Sequence, residues 1–360
     1  MSEIAYEQLK GGSRLAVLTP YLIPESLRGR KIVNLGDGFI LRAIERLVGK
    51  FSASRSSSPR VALPVAVQVS LAQSPAVILA GANQLNDRYT VWPGLSAEHI
   101  RASKLRLLPF GVGLHGEPGF TDTLSDATKD VLIALHEKIE FSSWRCPHTV
   151  EYLQRQLPQL APQILMTGCP VAYDRPLIDG EAFSNAARRI AVTVTERGDF
   201  WARETAVIDF VAQRFPRAQR TLVLHQNYSP PGRFEQLRHR WFPQAAAQLN
   251  EYQRLRQYAV QRGYDIVCPV DADACMAFYE GMDMHIGSRL HAHLLCLSRA
   301  RRSWLVPVDG RAAGMAEFLR FPLCQPGDLE ENIDFDFEIV RAQAIQGYAI
   351  MRRFLKTLPR

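Results

Sequence analysis

The 360-residue chain has six cysteines, and none stands at a spacing that would let it work with another. Cys146, Cys169, Cys268, Cys275, Cys296 and Cys324 never approach the C-x-x-C or Cys/His pattern of a zinc site, so they read as reduced, mostly buried thiols. No G-x-G-x-x-G stands between a strand and a helix, and no P-loop occurs, which excludes the common Gly-rich nucleotide fingerprints. No apolar run is long enough to span a bilayer, and the N-terminal stretch MSEIAYEQLKGGSRLAVLTP has no hydrophobic centre of a secretion signal. The expected location is the cytoplasm, including the inner face of the membrane, and a peripheral association there is left open. Helix-turn-helix, RNP-type and zinc motifs are all missing, so no nucleic-acid partner is expected. The spacing implies no metal and no organic cofactor.

What is present is a large core and a modest basic excess. Hydrophobic residues make up 47% of the chain, and the length suits two domains. Lys plus Arg exceed Asp plus Glu by 43 − 36 = 7, scattered over helix faces, a balance that suits anionic ligands or solvated helix surfaces.

From Leu15 onward, short apolar runs alternate with helical stretches, which predicts an α/β fold with parallel sheets. The first series has strands at Leu15–Leu18, Val65–Val69, Ala76–Ala80, Leu105–Phe110, Lys138–Phe141 and Ile164–Thr167, with helices at Asp37–Val48, Ser125–His136 and Thr149–Gln156. The low-complexity stretch Ser52–Pro59 reads as a loop. A turn-rich connection over Tyr173–Asn185 divides the chain. Beyond it, strands are expected at Ile190–Thr195, Thr221–His225, Asp265–Val267, Asp283–Ile286 and Trp304–Val308. The predicted organisation is an N-terminal α/β domain over 1–175, a C-terminal one over 186–335 and a helix over 336–360 that can return to the first domain. Its apolar face is read as Ile339, Ile345, Ile350 and Phe354; a homo-oligomer contact there is left open. Two Rossmann-like domains in sequence are expected to face across a cleft, with functional residues just after strands.

IGSRLHAHLL, Ile286–Leu295, follows one such strand. Ser288 is the expected N-cap, and the helix N-terminus with the guanidinium of Arg289 makes an anion site. His291 lies in the first turn and His293 one turn deeper; a ligand-facing histidine and a core histidine are both open readings for each. A second motif, NLGDG over Asn34–Gly38, opens the first long helix. There Asn34 or Asp37 can cap the helix, Gly36 permits a tight turn, and Asp37 can hydrogen-bond a substrate hydroxyl. Arg197, His225 with Asn227, and Asp309 with Arg311 each follow a second-series strand and together would form a cationic wall for a small anion.

The pairing of Asn-x-Gly-Asp (Asn34, Gly36, Asp37) with Gly-x-Arg-Leu-His-Ala (Gly287, Arg289, Leu290, His291, Ala292) resembles the polysaccharide pyruvyltransferase family. The resemblance implies a GT-B-like enzyme of polysaccharide or exopolysaccharide biosynthesis that moves pyruvate from phosphoenolpyruvate to sugar hydroxyls as a ketal. On it, His291 is the general acid and Asp37 orients or deprotonates the acceptor. Arg289, Arg197, His225, Ser288 and Arg311 bind the donor in the second domain. Asn34, Asn83 and Arg145 contact a sugar, glycan or lipid-linked saccharide acceptor in the first. The chain departs from the family pattern at Gly81-Ala82-Asn83, where a Gly-Gly pair is usual, at Arg145-Cys146 in place of Arg-Asp, and at Gly168-Cys169-Pro170 in place of Gly-Asp-Pro.

Two rival readings stand beside this one. A GT-B glycosyltransferase would use a nucleotide sugar and want a carboxylate to hold it, with Glu280, Asp283 and Asp309 as candidates. A catalytically degenerate relative would bind a glycan or a partner protein without turnover.

Overall fold

The computed structural model describes residues 4–27, 34–115, 123–195, 200–225 and 253–359. They form two compact units, both α/β. Unit 1 comprises Met1–Glu181, Asp309–Phe321 and Glu338–Arg360, and unit 2 comprises Ala182–Val308 and Pro322–Phe337.

In unit 1, β1 (Ala16–Leu18) lies between β2 (Ser56–Ser57) and β3 (Val77–Ala80), and β4 (Leu107–Phe110) follows β3, all parallel. Every residue of β1, β3 and β4 is buried, as expected for parallel strands covered on both faces. A second parallel pair, β5 (Ser142–Trp144) and β6 (Ile164–Met166), continues the sheet: Gly111 N donates to Ser143 O at 3.0 Å, and Val112 bridges Trp144.

Three expectations fail here. Val65–Val69 is helical, within Val65–Ala72, although its β-branched composition suggests a strand. Val65 and Val69 are 76% and 52% exposed, and Gln68 Nε2 donates to Leu63 O at 2.7 Å across the first turn. The place beside β1 belongs instead to Ser56–Ser57, from the stretch expected to be a loop. The strand expected at Lys138–Phe141 begins four residues later. Ser142 and Ser143 are fully buried and spend their hydroxyls internally, on His136, Trp144 and Thr167, so hydropathy does not reveal them.

Unit 2 is a five-stranded parallel sheet in the order β11-β10-β7-β8-β9, formed by β7 (Arg189–Thr193), β8 (Gln219–Val223), β9 (Asp265–Val267), β10 (Met284–Gly287) and β11 (Ser303–Leu305). Counted within the unit this is the doubly wound order 3-2-1-4-5. The chain reverses its direction of winding between β7 and β10, which makes their carboxyl ends the topological switch point.

The second-series segment Asp309–Phe321, expected in the C-terminal domain, belongs to unit 1. Its helix Gly310–Leu319 is held there by close contacts: a Cβ at Gly314 would stand 2.8 Å from Cys146 Sγ, and His148 Nε2 pairs with Glu317 at 2.6 Å. The C-terminal helix Glu338–Leu355 is also part of unit 1, and of the predicted stripe only Phe354 is among its buried residues. Ile339 is exposed, and Val340, Ala344, Gly347, Tyr348, Met351 and Phe354 are buried. Phe354 meets Phe110 edge-on at 5.0 Å and Tyr348 meets Tyr173 at 5.5 Å. Among the described residues no helix is long and apolar enough to cross a membrane.

A chain of polar groups runs through the core of unit 2. Thr193 Oγ1 and His285 Nε2 are 2.8 Å apart, His285 Nδ1 reaches Ser303 Oγ at 2.8 Å, and Ser303 Oγ meets His293 Nδ1 at 2.8 Å. Burial pushes His285 down to about 3 and holds His293 and His225 well below the ordinary 6.5. Depressed histidines favour the neutral fold above the unfolded value and are lost as stability when pH falls below it. Asp37, raised to about 6 by burial, acts in the opposite sense as a single carboxyl against four histidines, since burial also pushes His136 in unit 1 down to about 4. Unfolding in urea should therefore show stability falling as pH drops from 7.5 to 5.5, by about 1.4 kcal/mol per pH unit for each such histidine once below 6.5. An unchanged free energy over that window would contradict the neutral, buried assignment.

Candidate active site

The carboxyl ends of β7 and β10 are joined through Thr193. Its carbonyl accepts the Ser288 N–H at 3.0 Å, and its Oγ1 accepts the Arg289 N–H at 3.2 Å. This corrects the expected cap. With both amides spent on β7, the helix begins at Leu290, Arg289 occupies the cap position with extended backbone, and Ser288 Oγ caps nothing. That hydroxyl is buried and has no hydrogen-bond partner among the described residues. Gly287 is required by the same closeness: a Cβ there would stand 2.6 Å from Thr193 Oγ1 and closer still to its carbonyl oxygen.

The Arg289 guanidinium is anchored to the end of β7, with Nε donating to Val194 O at 2.9 Å and an Nη to Thr195 O at 3.2 Å. Those bonds fix its position and leave less of the fork for an anion than its sequence context suggests. His291 is 7% exposed in the first helical turn, while His293 is fully buried on Ser303. His225 follows β8, shares a 2.9 Å hydrogen bond with the Tyr279 hydroxyl, and lies within electrostatic reach of Arg289, His285 and His291, all of which add to the burial that lowers it. His225, Arg289 and His291 thus share one sheet edge. Arg197 and Asn227 lie outside the described residues.

Of the carboxylates a nucleotide-sugar reading would use, Glu280 pairs with Arg299, and Asp283 accepts the Arg188 and Arg189 amides at the start of β7. Asp309 belongs to unit 1. Glu280 and Asp283 both precede β10 and so lie away from its carboxyl end.

Unit 1 gathers a second set. Asn34 caps the helix Leu35–Val48, its Oδ1 accepting Gly36 N–H at 3.1 Å, so Gly36 lies inside the helix and makes no separate turn. Asp37 in the first turn is 6% exposed. Burial raises its carboxyl to about 6 against the pull of Arg60, Arg311, Arg145 and Asn34. Arg60 Nη2 is 3.5 Å from Asp37 Oδ2. Arg311, expected on the donor side in the second domain, is here because Asp309–Phe321 is, and its Nε forks onto Asp309 at 2.8 and 2.9 Å. Burial works to raise the Asp309 carboxyl, but that fork outweighs it and holds it below the usual range.

Arg145 is 2% exposed at the end of β5, against Gly113, where any Cβ would overlap its guanidinium. Burial lowers its pKa. Its Nε is buried without a hydrogen-bond partner among the described residues, as is Asn83 Oδ1. Asn83 follows Gly81 (φ 53°) and Ala82 (φ 62°), two successive left-handed residues at the end of β3, and the Ala82 carbonyl accepts Gly113 N–H at 2.8 Å. Sequence reasoning missed Arg60, which follows a Ser-rich stretch with no motif, and Thr193, whose role depends on a strand 91 positions later, His285 lying at 92.

No protein-family model and no curated protein matches the chain. Among solved structures it is similar to UDP-GlcNAc 2-epimerase from Neisseria meningitidis bound to UDP-GlcNAc, at 8% identity and a TM-score of 0.49, covering 97% of this chain and 100% of that one. It is also similar to a UDP-N-acetylglucosamine 2-epimerase described as putative from Listeria monocytogenes (12%, TM-score 0.47, 96% and 95% covered). A third is the UDP-forming α,α-trehalose-phosphate synthase from Burkholderia vietnamiensis (14%, TM-score 0.41, 82% and 73% covered).

Ala82 carries the left-handed strain that a glycine would not, a cost of about 1–2 kcal/mol. Ala82→Gly should raise stability by about 1 kcal/mol after the added freedom of the unfolded chain is subtracted, read from denaturant midpoints. A loss of stability would mean that the Ala82 methyl is needed where it stands.

Proposed function

We propose that the chain is a sugar-modifying transferase that holds a phosphate-bearing donor at the carboxyl ends of β7 and β10 and a sugar or glycan hydroxyl near Asp37. The observation that carries this reading is the switch point of unit 2, where a helix starts immediately behind Thr193 and Arg289. Open α/β sheets bind ligands at such points, and helix N-termini favour phosphate. Asp37, held at about 6, suits a base that accepts the proton of an attacking hydroxyl near neutral pH.

A nucleotide sugar is the first donor reading, supported by the doubly wound strand order, which elsewhere accommodates dinucleotides. Phosphoenolpyruvate is the second, supported by the Gly287–Ala292 motif and by the placement of Glu280 and Asp283 before β10 and not after it. In that reading His291 protonates the methylene carbon and a sugar hydroxyl attacks the resulting cationic centre. Phosphate then leaves, and a second hydroxyl closes the ketal.

The discriminating experiment offers UDP-sugars and phosphoenolpyruvate separately, each with a panel of sugars, glycans and lipid-linked saccharides, and reads products by mass spectrometry. A glycosylated product supports the first donor and a pyruvylated product the second. Asp37→Asn should lower the rate of either by about 100-fold or more. Binding without turnover across the panel would overturn the transferase reading in favour of a glycan- or partner-binding protein.

A further inference from the structure

The least compensated charge in the described residues of unit 1 is that of Arg145. A buried guanidinium normally forks onto a carboxylate or backbone carbonyls, because leaving its charge desolvated and unpaired is strongly unfavourable. Arg145 makes no side-chain hydrogen bond or ion pair among the described residues, although its backbone N–H is tied to Val112 O at 3.0 Å and the residue is 2% exposed. Its electrostatic neighbours are the thiols of Cys146 and Cys169, then Arg311 and Asp309. Neither thiol serves as a counterion. Cys146 Sγ is 3.2 Å from Thr149 Oγ1, and Cys169 is fully buried.

Two carboxylates beside Arg145 would neutralise it from within the protein, and two thiols do not. Nearby, Arg60 and Arg311 add cationic charge, offset by Asp309, which Arg311 already holds, and by Asp37. Asn83 Oδ1, an acceptor without a partner, sits on the loop whose Ala82 carbonyl fixes Gly113 over Arg145.

We propose that unit 1 binds an acidic sugar, with a phosphate or carboxylate on Arg145 flanked by Arg60 and Arg311, and a hydroxyl between Asn83 and Asp37. The inference rests on the reading of unit 1 as the acceptor side and narrows that acceptor from any sugar to an anionic one. It also explains why Gly113 carries no side chain: a methyl group there would occupy the guanidinium's place.

The test measures binding to the full chain by calorimetry, with glucose, glucose 1-phosphate and glucuronate as probes. The acidic sugars should bind at least 10-fold more tightly than glucose, and the tighter of the two names the group. Arg145→Met should abolish that preference while leaving the unliganded protein at least as stable, since it removes an unpaired buried charge. Cys169→Asp, which returns an internal counterion, should weaken the acidic probes at least 10-fold, and Arg214→Gln, an exposed residue of unit 2 paired with Glu330, should leave them unchanged. Equal binding of glucose and the acidic sugars, or an undiminished preference in Arg145→Met, would overturn the proposal. Acidic-sugar preference without transfer from any donor would instead overturn the transferase reading and leave this site standing.

Discussion

In a parallel sheet every strand delivers its carboxyl end to the same edge, and that single constraint decides which residues of this protein meet. Residues separated by nearly a hundred positions become neighbours in unit 2 because β7 and β10 run side by side in register, Thr193 opposite Gly287. Thr193 then closes the junction by accepting two consecutive amides from the segment that leads into the next helix. Its hydroxyl also continues into the buried chain of His285, Ser303 and His293. The position of Arg289 is thus set from the interior of the sheet outward, with its own guanidinium bonded to the two residues that follow β7.

Unit 1 obeys the same constraint with a different electrostatic outcome. The ends of β3, β4 and β5 bring together two left-handed residues, a glycine pressed on an arginine, and that arginine with no side-chain hydrogen bond or ion pair among the described residues. Strain and an unpaired buried charge each cost free energy, and a fold that keeps both at one sheet edge stores them where a ligand can relieve the electrostatic part. Asp37 responds to the same burial in the opposite sense: desolvation lifts its carboxyl towards neutrality even with arginines nearby.

Much of this architecture is legible in the sequence where burial is continuous. Val77–Ala80, Leu107–Phe110 and Ile164–Met166 read as strands because parallel strands are apolar on both faces. The readings that fail do so for physical reasons. Ser142–Ser143 are strand residues whose hydroxyls are satisfied inside the core, and Ser56–Ser57 form a half-buried edge strand with Ser56 Oγ bonded to Ser52 O, so polarity conceals both pairs. Val65–Ala72 shows the reverse, β-branched residues on an exposed helical turn after Pro64. The motifs around Asn34–Asp37 and Gly287–His291 point to strand ends, yet sequence order alone assigns Arg311 to the second domain. The return of Asp309–Phe321 to unit 1 is a matter of packing against Cys146 and His148, which no local pattern encodes. Arg145 is visible in the sequence, but its missing counterion appears only when Cys146 and Cys169 are seen beside it.

The claim on which the account turns is that Asp37 sits desolvated among arginines at a ligand-ready sheet edge. A carbon-detected NMR titration of its carboxyl measures this directly. A midpoint at about 6 is expected, whereas a midpoint near the ordinary 3.8 would show the carboxylate to be solvated or fully neutralised by its neighbours and would contradict this placement.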